Sequence, residues 1–220
     1  MKNIELIYRS NHRLWRCLLL LFITSCIAIL PVTAQTKSPP TGNPILDEGI
    51  RLHDAARNDP EGNLEQGKKI LGSLKDSSNL ARAYYGSIIT IEAGTYADRK
   101  NAIKATSLLS EGTSLIDDAV QKEPDNAYIR FLRMINSYEV SINSPLNRFK
   151  TMKEDIDWFS SREATFSAAE QGIIELYRGL YCVKARKLEE ALDAFNACIA
   201  ISPGSPEAKM AKEQIAKYTE

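Results

Sequence analysis

The sequence has little of what most active sites are built from. Its 220 residues include two histidines and four cysteines, and His12, Cys17 and Cys26 fall within the first 34. Beyond residue 34 there remain one histidine, His53, and two cysteines, Cys182 and Cys198. A zinc or iron site of the usual kind needs three or four His or Cys ligands together, so no metal is expected. No glycine-rich phosphate loop, nucleophile elbow or HExxH occurs, so neither a cofactor nor an enzyme is expected. A charge excess is missing too. Lys plus Arg equals Asp plus Glu at 28 each, which argues against a nucleic-acid partner. Strand signals are absent: from residue 44 onward apolar residues recur at three and four, the helical period.

Long apolar runs are also missing, except one. Lys2, Arg9, Arg13 and Arg16 precede the uncharged run Leu18–Leu30, and Pro31-Val32-Thr33-Ala34 ends in small residues, the pattern of a secretory signal cut after Ala34. The run is too short to span a bilayer, which takes about twenty residues. A second reading stays open, since Ile23-Thr24-Ser25-Cys26 resembles a lipobox; an uncleaved signal or lipid at Cys26 would be the chain's route to a membrane. Removing residues 1–34 leaves 24 bases against 27 acids. Residues 1–34 are thus read as a signal peptide, with export to a periplasm. Residues 35–43, with two prolines and a glycine, are read as a flexible leader. Residues 44–220 form the folded domain.

Breakers and caps place helices at about 44–57, 63–76, 79–94, 100–122, 126–142, 146–160, 167–186, 188–201 and 205–218. Asp59-Pro60, Glu123-Pro124-Asp125-Asn126 and Ser202-Pro203-Gly204-Ser205 are the punctuation. The clearest unit runs from Gly179 to Pro203. There Gly179 and Ala191 allow two helices to approach, Phe195 fills the wedge, Cys198 is small and Pro203 ends the second helix. This unit resembles a tetratricopeptide repeat, a helix pair of about 34 residues. A looser copy holds Gly86, Gly112, Ala119 and Pro124, with an extension around Thr95–Thr106. The resemblance implies an all-α, right-handed superhelix of antiparallel helix pairs, with residues 205–218 as a polar capping helix. It also implies a scaffold or adaptor that holds a protein or peptide partner in a concave groove. A periplasmic small-ligand or transporter-associated protein is the alternative, favoured by an enclosed apolar pocket.

In that register Tyr128, Phe131, Ile135 and Tyr138 face the groove from the third unit, and Ile173, Leu176, Leu180 and Val183 from the last. The same side chains could instead pack on one another. Leu80, Ala83, Ser87 and Thr90 hold the corresponding places in the second unit. Arg130, Arg133, Arg148, Lys150 and Lys153 put positive charge around the third unit, followed by Asp155, Asp157, Glu163 and Glu170, and a basic rim could hold a partner's carboxylate. The simpler reading is solvated surface. His53 is read as a surface residue beside Asp54, and the carboxylate pairs Asp117-Asp118, Glu189-Glu190 and Asp155/Asp157 as wet helix faces. Cys182 and Cys198 are expected to be unpaired, because their levels on antiparallel helices differ by roughly 12 Å.

Overall fold

A computed structural model describes residues 41–162 and 165–219. Residues 1–40, with the signal segment, Cys26 and most of the leader, lie outside the described residues, as do Glu163 and Glu220. Among the described residues there are nine helices and no strand: α1 Pro44–Ala56, α2 Pro60–Leu74, α3 Asn79–Asp98, α4 Ala102–Lys122, α5 Ala127–Asn143, α6 Phe149–Ser160, α7 Ala168–Lys184, α8 Leu188–Ile201 and α9 Pro206–Thr219. None is long and apolar enough to cross a membrane.

Several helices begin where a side chain can accept from the free N–H groups of the first turn. Asn43 accepts from Ile45 and Leu46, Ser78 from Ala81, Asn101 from Lys104, and Asn126 from Tyr128 and Ile129. Ser167 and Glu170 form a reciprocal capping box at α7. Three boundaries differ from the sequence reading by three residues or more, one of them the start of α6, at Phe149 rather than 146. The second helix starts at Pro60 rather than 63, because proline's fixed φ and missing N–H suit a first turn. The third runs to Asp98 rather than 94, so the extension lengthens both arms of the α3–α4 hairpin instead of its loop.

The α3–α4 and α7–α8 turns close alike. Lys100 and Arg186 adopt φ of 60° and 61°, and the next N–H reaches back over the turn, Asn101 to the Tyr96 carbonyl and Lys187 to the Cys182 carbonyl, both at 2.9 Å. This is the helix C-terminal motif that glycine usually supplies.

Each helix packs on the next, and alternate helices also touch: α1 on α3, α3 on α5, α5 on α7 and α7 on α9. The even-numbered helices share no comparable contact with one another. Odd helices thus form the continuous layer and even helices flank it. The cores follow this order. Leu46, Ile50, Leu71, Tyr84 and Ile88 of α1–α3 join Ile129 and Leu132 of α5, while Phe131, Met134 and Ile135 on other faces of α5 join Ile156, Phe159, Tyr177 and Phe195. The helix α5 belongs to both.

Two close approaches set the hairpins. A Cβ at Gly86 would lie 2.5 Å from the Gly112 carbonyl oxygen, and Gly112 meets the Gly86 carbonyl in return. A Cβ at Gly179 would overlap the ring of Phe195, itself fully buried, as are Ala191 and Cys198. Ala119 is equally buried between the hairpins, and Pro124 and Pro203 sit in the turns after α4 and α8. Both described cysteines are free and buried. Burial pushes the Cys198 thiol up to about 12 and raises that of Cys182. In α9, Ala208 and Ala211 face inward and Lys209, Lys212 and Lys217 outward.

Candidate functional site

The side chains expected in a concave groove are mostly core. Phe131, Ile135, Tyr138, Ile173, Leu176 and Leu180 are buried, and only Tyr128 and Val183 are half-exposed. Phe131 stacks on Phe159 with centroids 4.1 Å apart and meets Phe166 edge-on at 6.0 Å; Tyr138 meets Tyr177 edge-on at 5.7 Å. Burial pushes the Tyr138 phenol up to about 12. These aromatics hold α5 to α6 and α7, the packing arrangement the sequence left open. In the second unit Ala83 and Ser87 are buried, while Leu80 and Thr90 are half-buried.

An open cleft lies among the flanking helices. Because α4 and α6 do not pack together, a cleft of about 860 Å³ opens between them. Ser114, Asp117, Asp118 and Gln121 line it from α4, Glu154 and Trp158 from α6, and its floor is Arg130 and Arg133 of α5. Helical spacing makes this possible: 114, 117, 118 and 121 share one face, as do 130 and 133, and 154 and 158.

The floor is held by a carboxylate. Asp155 is 0% exposed and accepts from Nε and Nη2 of Arg133, both at 2.7 Å, and from Nη1 of Arg130 at 2.8 Å. Asp155 was expected to be wet; it is buried because 152, 155, 156 and 159 form one stripe with Met152, Ile156 and Phe159, all core residues. Burial raises the Asp155 carboxyl against the pull of both guanidiniums, and Arg133 is shifted upward by Asp155 despite its own burial. Arg148 grips Asp117 with both Nη groups, at 2.9 and 2.6 Å. Arg82 and Lys122 hold Asp118 at 2.7 and 2.9 Å. Arg130 and Arg162 lie over the Trp158 ring, 4.8 and 4.4 Å from its centroid. The basic rim is therefore folded inward on the chain's own acids. Lys150 and Lys153 stay exposed, with Lys153 paired to Asp157, and Glu189 and Glu190 are exposed.

A second polar band crosses the odd helices. His53, read from sequence as a surface residue, is 1% exposed. It falls on the α1 stripe with Leu46, Gly49, Ile50 and Ala56. Its Nδ1 lies 2.9 Å from Asp54 Oδ1 and its Nε2 2.8 Å from Ser87 Oγ, while Tyr84 packs edge-on at 4.9 Å. Burial lowers the His53 pKa against the pull of Asp54, and Arg57 lowers it further. Arg57 pairs with Glu139 of α5, and Asn136 of α5 donates to Thr90 of α3 at 2.7 Å. The band therefore ties α1, α3 and α5 together. A carboxylate, an imidazole and a hydroxyl in a row are the parts of a nucleophilic relay, but with Ser87 4% exposed a substrate carbonyl has no approach.

Compared with known proteins, the chain matches no family model, no curated protein and no solved structure.

Proposed function

We propose that this protein is an exported helical-repeat scaffold of tetratricopeptide type, a right-handed superhelix that works by holding a protein or peptide partner. The observation that carries the reading is the open cleft between α4 and α6, floored by fixed arginines and walled by Trp158. Arg and Trp are the residue types that dominate binding energy at interfaces, especially where packing holds them rigid. The order of contacts, hairpin on hairpin with odd helices stacked, supports the repeat reading, as does the Gly179–Phe195 wedge. An open, polar-lined cleft suits a polypeptide better than the small apolar ligand of the alternative. The partner surface of this reading is the outer cleft rather than the aromatic stripe, since that stripe is buried.

A photo-crosslinking residue at Ser114 or Gln121, both exposed on the cleft wall, should yield a discrete protein adduct in producing cells. The same residue at Val183 serves as the comparison. Adducts from Val183 alone would return the partner to the odd-helix face; none from any position would remove the scaffold reading.

A further inference from the structure

We propose that the cleft recognises a carboxylate, an aspartate or glutamate side chain of the docked polypeptide, held by the free edges of Arg133 and Arg130. This rests on the docking role argued above and adds the chemistry of the occupant.

A guanidinium carries five N–H groups. Arg133 spends Nε and Nη2 on Asp155, and its Nη1 makes no hydrogen bond among the described residues; the nearest carboxylate oxygen, Asp117 Oδ1, is 3.8 Å away. Arg130 gives Nε to the Pro124 carbonyl and Nη1 to Asp155, leaving Nη2 without a hydrogen bond among the described residues. Both side chains line the cleft, and Arg133 is only 8% exposed. Fixed charged donors that open on the cleft and have no acceptor among the described residues favour an anion, and a carboxylate matches the guanidinium edge in shape as well as sign.

Most acids around the floor are already engaged. Two arginines share the single carboxylate of Asp155. Asp117 is occupied by Arg148, and Asp118 by Arg82 and Lys122. That leaves Glu154, 53% exposed and 3.9 Å from Arg133 Nη2, as the anion a ligand would meet, and solvent screens it. Asp155 also fixes both guanidiniums in advance, so binding need not freeze two long side chains.

The test is to pan random dodecapeptides displayed on phage against the full chain, keep those that crosslink to a photo-reactive residue at Ser114, and measure their affinity by fluorescence polarisation. Selected peptides should be enriched in Asp or Glu, and changing that acid to Gln or Asn should weaken binding about tenfold. Substituting Arg133 could unfold the chain by stranding Asp155, so the protein-side variants are at Gln121, exposed on the wall. Gln121→Glu should weaken acidic peptides several-fold and Gln121→Lys should strengthen them. Cleft-binding peptides without acids, or indifferent to the charge at 121, would overturn the carboxylate assignment and leave the docking role standing. Failure to select any peptide that crosslinks at Ser114 would overturn both.

Discussion

Substituting His53 tests how the polar band holds the first hairpin. The imidazole is 1% exposed, its Asp54 partner is part-exposed, and Arg57 adds a like charge on the same helix. Desolvation therefore wins and the folded-state pKa lies below the ordinary 6.5. The sign follows. The unfolded chain takes up a proton near 6.5 while the folded chain does not, so stability from this residue is complete above that pH. It falls as pH drops toward the folded pKa, with a slope of at most about 1.4 kcal/mol per pH unit. His53→Gln removes the titration and disturbs the bonds to Asp54 and Ser87, costing about 1–3 kcal/mol at pH 7.5. Urea unfolding of both proteins between pH 7.5 and 4.5 should show two curves separated at neutral pH and converging in acid. The subtraction cancels the carboxylates that do not touch His53. A gap that stays constant, or widens as pH falls, would refute the claim that His53 is buried neutral.

Other substitutions probe the packing by thermal or urea unfolding. Phe131→Ala should cost about 3–5 kcal/mol, as loss of a buried aromatic does, whereas half-exposed Tyr128→Ala should cost far less; equal small effects would contradict the Phe131–Phe159–Phe166 cluster. Gly86→Ala should destabilise by about 1–3 kcal/mol because its methyl meets the backbone of α4, while Gly94→Ala, on the same helix with open space around it, should stabilise by up to about 1 kcal/mol. Arg186→Gly should stabilise by about 0.5–1 kcal/mol, since the left-handed conformation penalises a side chain more than glycine costs in entropy, and a loss of stability would mean that the turn is not as described.

The helices were legible because their signals are local. Asparagine at 43 and 126 and serine at 167 act on the turn they stand in, and the wedge of Gly179 against Phe195 lies within one hairpin. The α3–α4 and α7–α8 turns kept their likeness hidden because Lys100 and Arg186 occupy the place where glycine would have announced it. The site was illegible for a different reason. Whether a charged residue is wet or buried depends on what the fold brings to it, and the partners of Asp155 lie 22 and 25 residues away on another helix. Its spacing with Met152, Ile156 and Phe159 was the available signal, as was that of His53 with Leu46 and Ile50. Reading charge as exposure overrode the period in both.

The Asp155 cluster bears on why the cleft exists at all. Burying a carboxylate and two guanidiniums is costly, and in general a buried ion pair can be replaced by apolar side chains of similar volume at no loss of stability. The positions invite such a replacement, since Asp155 shares its stripe with Met152, Ile156 and Phe159, and Arg133 adjoins Leu132 and Met134 of the core. An apolar trio would close α5 against α6 as well, but it would leave a floor without charge or directed donors. Folding stability alone therefore gives no account of two arginines on one buried acid. Their placement at the bottom of an open cleft, each with an N–H group that makes no hydrogen bond among the described residues, gives one under the proposed docking role: the cluster orients α5 and α6 and at the same time holds donors ready for a partner. Stability and recognition then share the same three residues, and an occupant that engages those edges adds to the stability of the second core by mass action.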